Sequence, residues 1–370
     1  MATLGCNARA PQPSRNKFAR KFVVAEILAI GADNIEASKF LEAYVQSGNL
    51  NFLIGSGASV PAIKTAGNIE VEINTLFSAG NIDQANRKCV DFIEEIGGIH
   101  EKIVGGPAGT IKKVSESYSE FLSVVDRVLF ARKNILLPRQ ATIFSTNYDM
   151  FLEHAASSLP AIILNDGFDR SSSLNTEFTF APERYFDRTY RSGPAYSLQI
   201  EIPTINLVKL HGSLSWRRKA DTIAFEAKPI PPLSAAQKAN AAEVGAFLEK
   251  HFLILPNLKK FHSTLIERVY YDLLRLFSKA MDQQNVLLIS FGFSFADEHL
   301  LDITRRSLRN PTSHLVIISY DQASAAAYQG KFSKQRNVTI IAPSAGTTLD
   351  FDRLNKILSS ILSGQSHAGA

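Results

Sequence analysis

Along this chain the spacing of apolar residues changes period several times, and each change marks a different element. Val23, Val24, Ile27 and Leu28 share one face at helical spacing, and Ala37, Phe40, Leu41 and Tyr44 repeat the pattern beyond a capping Asp33 or Asn34. Residues 16–47 therefore read as two helices. Residues 51–59 (NFLIGSGAS) are different: a short apolar run ends in glycines, as a buried parallel strand does on entering a tight turn. Residues 66–135 return to helical periodicity with no strand signal, the longest amphipathic stretch being 114–131. Apolar runs recur at 141–145, 161–164, 205–210, 286–290, 314–318 and 338–341, most of them followed by a polar turn and a helical segment. Residues 217–260, with Pro229, Pro231, Pro232 and a polar helical stretch, interrupt that alternation.

Buried strands alternating with helices predict an α/β protein with a doubly wound, Rossmann-like parallel sheet. The expected organisation is a basic arm with helices over 1–48, a main domain over 49–362 and a flexible tail over 363–370. A helical insertion is expected at about 66–135 and a second insertion at about 217–260. In such a sheet the ligand site lies beyond the carboxyl ends of the strands.

Composition narrows the class without naming a partner. With 45% hydrophobic and 20% charged residues in 370, the chain is an ordinary globular protein. Forty Lys and Arg against 35 Asp and Glu leave +5, too mild for a dedicated nucleic-acid binder, so direct nucleic-acid binding is not expected. Arg9, Arg15, Lys17, Arg20 and Lys21 precede the first acid, Glu26, and read as a flexible arm rather than a transit peptide. The two cysteines, Cys6 and Cys89, are too few for a tetrahedral zinc site or a disulfide framework, which points to a reducing, cytoplasmic compartment. No window of about 20 apolar residues offers a membrane span, and no histidine spacing suggests a metal site.

Four polar constellations follow predicted strands. In the turn Gly55, Ser56, Gly57, Ala58 and Ser59, two glycines allow close backbone approach and the amides can donate to a pyrophosphate, although a plain structural turn needs the same residues. At 145–149 (STNYD), Asn147 can grip ribose hydroxyls or a water, while Asn147 or Asp149 can equally cap the following helix. At 210–213 (LHGS), His211 is a candidate general base, and Gly212 keeps bulk away from the imidazole. At 290–297 (SFGFSFAD), Gly292 permits close approach, Ser294 can bond a phosphate or ribose, and Asp297 reads as a helix cap.

Taken in order, these four segments resemble the sirtuin family of NAD-consuming enzymes. The family's G-A-G-I-S turn is matched by Gly55, Gly57 and Ser59. Its T-Q-N-x-D segment is matched by Asn147 and Asp149, with Ser145 and Thr146 in the first two places. Its catalytic His-Gly pair falls on His211 and Gly212, and its G-T-S segment on Gly292 and Ser294 with Phe293 between them. Ser319, Tyr320 and Asp321 fall where the family contacts adenine and its ribose. The four-cysteine zinc module of protein-deacylating members cannot be built, and residues 60–64 (VPAIK) stand where those members carry P-D-F-R.

The chain is most similar to the sirtuin-like effectors of bacterial anti-phage defence, and in size to the partner of a HerA-type hexameric ATPase. That resemblance, spanning roughly 50–345, implies NAD as substrate, no metal, and hydrolysis to nicotinamide and ADP-ribose by Asn147 and His211. It places Gly55–Ser59, Thr146, Asp149, Gly292, Phe293 and Ser294 against NAD. It also implies a large homo-oligomer gated by assembly or by the ATPase, with either insertion as the gate. The alternatives are a non-catalytic NAD or ADP-ribose sensor or scaffold subunit, and a deacylase without the zinc module.

Overall fold

Each apolar run read as a strand joins one parallel sheet, because each is apolar on both faces and needs cover on both. The computed structural model describes residues 25–364, excepting 32–33, 65–66, 135, 171–177, 194–195, 221 and 254–263. The sheet comprises β1 (Glu26–Ile30), β2 (Asn49–Ile54), β3 (Gln140–Ser145), β4 (Ile163–Asn165), β8 (Thr204–Lys209), β12 (Val286–Phe291), β13 (His314–Ile318) and β14 (Val338–Pro343). The strand order is β1-β14-β13-β12-β2-β3-β8-β4, every neighbouring pair being parallel. The chain builds outward from β2 through β3 and β8, then returns on the other side of β2 as β12. The order therefore reverses between β12 and β2, the place where doubly wound sheets bind ligands.

Alternate residues of the strands supply two cores. Phe52 and Ile54 of β2 face a core shared with α1 (Ile35–Ser47), α3 (Ile82–Val104), α4 (Gly109–Phe130), α5 (Phe151–Ser157) and α11 (Phe351–Gly364). Leu53 points the other way, into a core with α8 (Thr264–Met281), α9 (Glu298–Ser307) and α10 (Gln322–Lys331). The segment read as the first insertion is helical throughout, α2 (Gly67–Ser78) preceding α3 and α4. α4 lies directly on the sheet: Phe121 meets Phe52 edge-on with ring centroids 5.0 Å apart. Cys89 is buried in α3, where burial pushes its thiol up to about 12, so it is an unreactive core residue.

Two expectations need correction. The described part of the first predicted helix is instead β1, since Ile27 and Leu28 pair with Ile340 and Ile341 of β14; four residues of helical spacing cannot outweigh an unpaired sheet edge. Val23, Val24 and the basic arm lie outside the described residues, as does Asp33. Asn34 does not cap α1, for its side-chain oxygen accepts from Arg353 Nε at 2.8 Å.

Residues 217–260, read as a second insertion with a polar helical stretch, hold that helical stretch and also strands that the pattern did not show. They contribute to an antiparallel sheet ordered β11-β9-β10-β5, made of β11 (His251–Leu253), β9 (Gly212–Lys219), β10 (Thr222–Phe225) and β5 (Phe178–Thr179). Among the described residues there, α6 (Ala235–Ala239) and α7 (Ala241–Lys250) are the helical ones. Buried Trp216, edge-on to Phe168 at 5.6 Å, supplies the apolar anchor that makes β9 a strand. A hairpin, β6 (Tyr190–Gly193) with β7 (Tyr196–Glu201), completes the strands. Among the described residues no helix is long and apolar enough to cross a membrane.

Candidate functional site

The four constellations emerge from the carboxyl ends of β12, β2, β3 and β8, which are consecutive in the sheet. Residues far apart in sequence thereby share one edge. After β2 the chain makes a 3₁₀ turn, Ser56–Ser59. The Gly57 amide donates to the Gly292 carbonyl at 2.9 Å, that of Gly55 to Phe291 at 3.0 Å, and that of Ala58 to Gly55 at 3.0 Å. A Cβ on Gly55 would lie 2.4 Å from the Gly292 oxygen. These glycines thus let two backbone turns touch, and three of the amides read as phosphate donors are already engaged.

Gly292 has φ +64°, and a Cβ there would lie 2.5 Å from the Ala58 nitrogen. Gly292→Ala is expected to cost at least about 2 kcal/mol, combining left-handed strain with a backbone clash. Urea unfolding measures it, and a loss under about 0.5 kcal/mol would contradict the close packing of the turns.

The centre of the site is a buried polar cluster whose proton directions can be worked out. The Asp149 carboxylate accepts the Ser59 hydroxyl at 2.7 Å. Having given its only proton, Ser59 Oγ must accept from Tyr118 OH, 2.9 Å away. The Asn147 amide nitrogen donates to Ser59 Oγ at 3.2 Å and to Tyr118 OH at 3.3 Å. That fixes the amide, and leaves its carbonyl Oδ1 buried without a partner among the described residues. Asp149 also bonds the Phe151 amide at 3.3 Å, so the residue that ties down the start of α5 is also part of the polar cluster. Burial and the nearby Asp149 charge push the Tyr118 phenol well above its ordinary value, keeping it neutral and a donor.

Tyr118 was missed by sequence reasoning because it sits on the apolar face of α4, like any core aromatic. The signal was its hydroxyl, which needs a partner once buried. Lys209 and Glu153 were missed likewise. Lys209, at the end of β8, bonds the Asp149 carbonyl and lies 3.5 Å from Glu153 Oε1, both side chains being nearly inaccessible.

His211 follows β8, and its partner was not anticipated. Its Nε2 lies 3.1 Å from Asp297 Oδ2, while Asp297 Oδ1 accepts the Leu300 amide and caps α9. Burial pushes the Asp297 carboxyl up, but the His211 hydrogen bond and charge, with the Leu300 amide, outweigh it and hold the group below its ordinary value. An ionised Asp297 requires the proton on Nε2, leaving Nδ1 without a partner among the described residues. Gly212, at φ +82°, occupies the left-handed turn that takes the chain from His211 directly into β9. Asn147 and His211 are not bonded to each other. They leave adjacent strands, with the Tyr148 ring centroid 6.4 Å from the imidazole.

The remaining expected residues divide. Thr146 is half-buried beside Asn147, its amide on Ile54 O at 3.1 Å, and Ser294 is exposed at the rim before α9. Phe293 is a packing residue, buried against Phe295 with centroids 4.9 Å apart. Asp321 caps α10 through the Ser324 amide at 2.7 Å, while Tyr320 is exposed. Among the described residues, no group of His, Cys, Asp and Glu could hold a metal ion.

A parallel doubly wound sheet with its polar cluster at the strand-order reversal defines a Rossmann-like protein of the type that handles NAD. A model of the SIR2-like domain family matches residues 141–341, more than half the chain. The chain belongs to the SIR2-like domain family, whose activity is NAD-related and for which NAD is the substrate. The match begins at β3 and ends in β14; the glycine turn and Tyr118 lie before it, and the fold brings them to the site. No curated protein matches the chain.

Proposed function

We propose that this protein hydrolyses NAD to nicotinamide and ADP-ribose. The observation that carries the reading is the buried Asn147 amide, fixed through Nδ2 and presenting Oδ1 as a free acceptor. A buried acceptor without a partner costs free energy, about 1–3 kcal/mol, which a ligand offering a donor recovers. A ribose hydroxyl and an attacking water are both such donors.

His211 supplies the base. With Nε2 held by Asp297, Nδ1 takes the proton of a water whose oxygen bonds to the anomeric carbon. The bond from that carbon to the pyridinium nitrogen breaks, its electron pair returns to the ring, and nicotinamide leaves neutral. Thr146, Ser56 and Ser294 stand at the same edge to meet the rest of the dinucleotide.

The setting we propose is an NAD-depleting effector of bacterial anti-phage defence, held quiet until a homo-oligomer or a HerA-type ATPase partner engages. Support for a gate comes from α4, which delivers Tyr118 into the Asn147 cluster, so that a shift of this helix would release the amide.

The test is chromatographic measurement of nicotinamide and ADP-ribose from NAD, with purified protein alone, with lysate and with a candidate ATPase. Equimolar release of both products supports the proposal. NAD binding without turnover under every condition would make the protein a sensor. Nicotinamide release that requires an acylated peptide would make it a deacylase.

A further inference from the structure

A second feature lies at the opposite edge of the sheet, beyond the amino ends of β13 and β14, where no residue of the candidate site reaches. The carboxyl end of α9, the loop before β13, the end of α10 and the turn before β14 enclose a groove of about 1070 Å³. Six cations line it, Arg305, Arg306, Arg309, Lys331, Lys334 and Arg336, against one acid, Asp302. The whole-chain charge of +5 averages this concentration away.

Cations at helix carboxyl ends can simply complement the helix dipole, and part of the set does so. Arg305 bonds the Lys331 carbonyl at 2.6 Å, Arg306 lies 4.0 Å from Asp282, and Lys331 donates to the Phe295 carbonyl at 2.8 Å. Arg309, Lys334 and Arg336 differ. They lie beyond the helices, are exposed, and have no side-chain partner among the described residues. Three unpaired cations converging on one groove repel each other, and an anion bound among them would relieve that repulsion.

The lining also distinguishes between polyanions. A protein partner would need a buried aromatic or aliphatic anchor at the centre of its interface. None of the exposed large hydrophobic side chains lines this groove. Apart from Tyr44, Leu308 and Pro311, the side chains that line the groove are polar or charged, and such a surface suits phosphodiester oxygens, which are gripped by charge and hydrogen bonds alone. We infer that the groove formed by Arg309, Lys334, Arg336 and their neighbours is a nucleic-acid site that reads the phosphate backbone without base specificity. This reverses the expectation drawn from net charge, and it is independent of the reaction at the other edge.

The experiment is fluorescence anisotropy of the full chain with labelled single-stranded DNA, duplex DNA and RNA of mixed sequence, from 50 to 200 mM salt. Wild type should bind with a log–log salt slope of about −2 to −3, one phosphate for each unpaired cation. Combined Arg309→Glu, Lys334→Glu and Arg336→Glu should weaken binding at least about tenfold and flatten the slope by about two. Arg87→Glu, Lys102→Glu and Arg218→Glu, exposed on α3 and β9 and not lining the groove, change net charge equally and should change affinity by less than about threefold. Circular dichroism checks that both variants are folded. Absence of binding, or equal binding by wild type and groove variant, overturns the inference. So does preferential binding of a poly-glutamate peptide, which would assign the groove to an acidic protein partner.

Discussion

Replacing His211 with alanine is expected to lower nicotinamide release from NAD by about two to four orders of magnitude, the usual contribution of a positioned general base. The fold should survive, since the imidazole is partly exposed and its one hydrogen-bond partner among the described residues is Asp297. The loss should fall on kcat and leave KM nearly unchanged, because the imidazole acts on the attacking water and not on substrate binding. Asp297→Asn tests the dyad: an amide can still accept the Leu300 N–H, but it removes the charge that keeps the imidazole proton on Nε2. At least about a tenfold fall is expected. Asp297 is held below its ordinary carboxylate value of 3.8, so its contribution is complete above that value and is lost as pH falls through the lower folded value. An Asp297→Asn protein as active as wild type would show that His211 acts without this partner.

Lys209→Met is expected to be the most destabilising single change near the site, by about 3–5 kcal/mol at neutral pH. Breaking a buried ion pair strands the remaining charge. Lys209 and Glu153 have side chains 3% and 9% exposed, and without the ammonium the buried Glu153 carboxylate has no cation beside it among the described residues and keeps neutral donors such as Ser213 Oγ, at 3.3 Å. Burial already pushes Glu153 above its ordinary value, against the opposing Lys209 charge. Removing Lys209 raises it further. A carboxyl raised in the folded state contributes stability below its unfolded value of 4.5 and loses it as pH rises through the folded value. The deficit of Lys209→Met should accordingly be largest at neutral and alkaline pH and shrink toward acid, where Glu153 takes up a proton. Glu153→Gln added to Lys209→Met should restore part of the loss. Urea unfolding at several pH values measures this, and a deficit under about 1 kcal/mol at pH 7 would contradict the pairing.

Much of the scaffold was legible because burial on both faces of a parallel sheet leaves a continuous apolar run. The runs at 51–54, 141–145, 205–210, 286–290, 314–318 and 338–341 all became neighbours in one sheet. What failed was decided by partners distant in sequence. Ile27 and Leu28 satisfy helical spacing locally, yet β14 offers them an open edge. Residues 217–225 fall in what reads as an insertion, yet Trp216 packs on Phe168, and β9 pairs with both β10 and β11. Asp297 was read as a cap and is one, but a carboxylate has two oxygens, and the second meets His211 only because β8 and β12 bring their loops together.

The sequence by itself determined that Gly55, Asn147, His211 and Gly292 stand at strand ends, because the apolar runs stop just before them, within a residue or so. It determined the fold class by the same alternation. Tertiary structure alone decided which acceptor stays free and which nitrogen of His211 carries the proton. Those follow from Tyr118, 29 residues before Asn147, and from Asp297, 86 residues after His211. Hydrogen-bond direction depends on the full set of partners around each atom, and here that set is assembled from five segments that no local pattern connects.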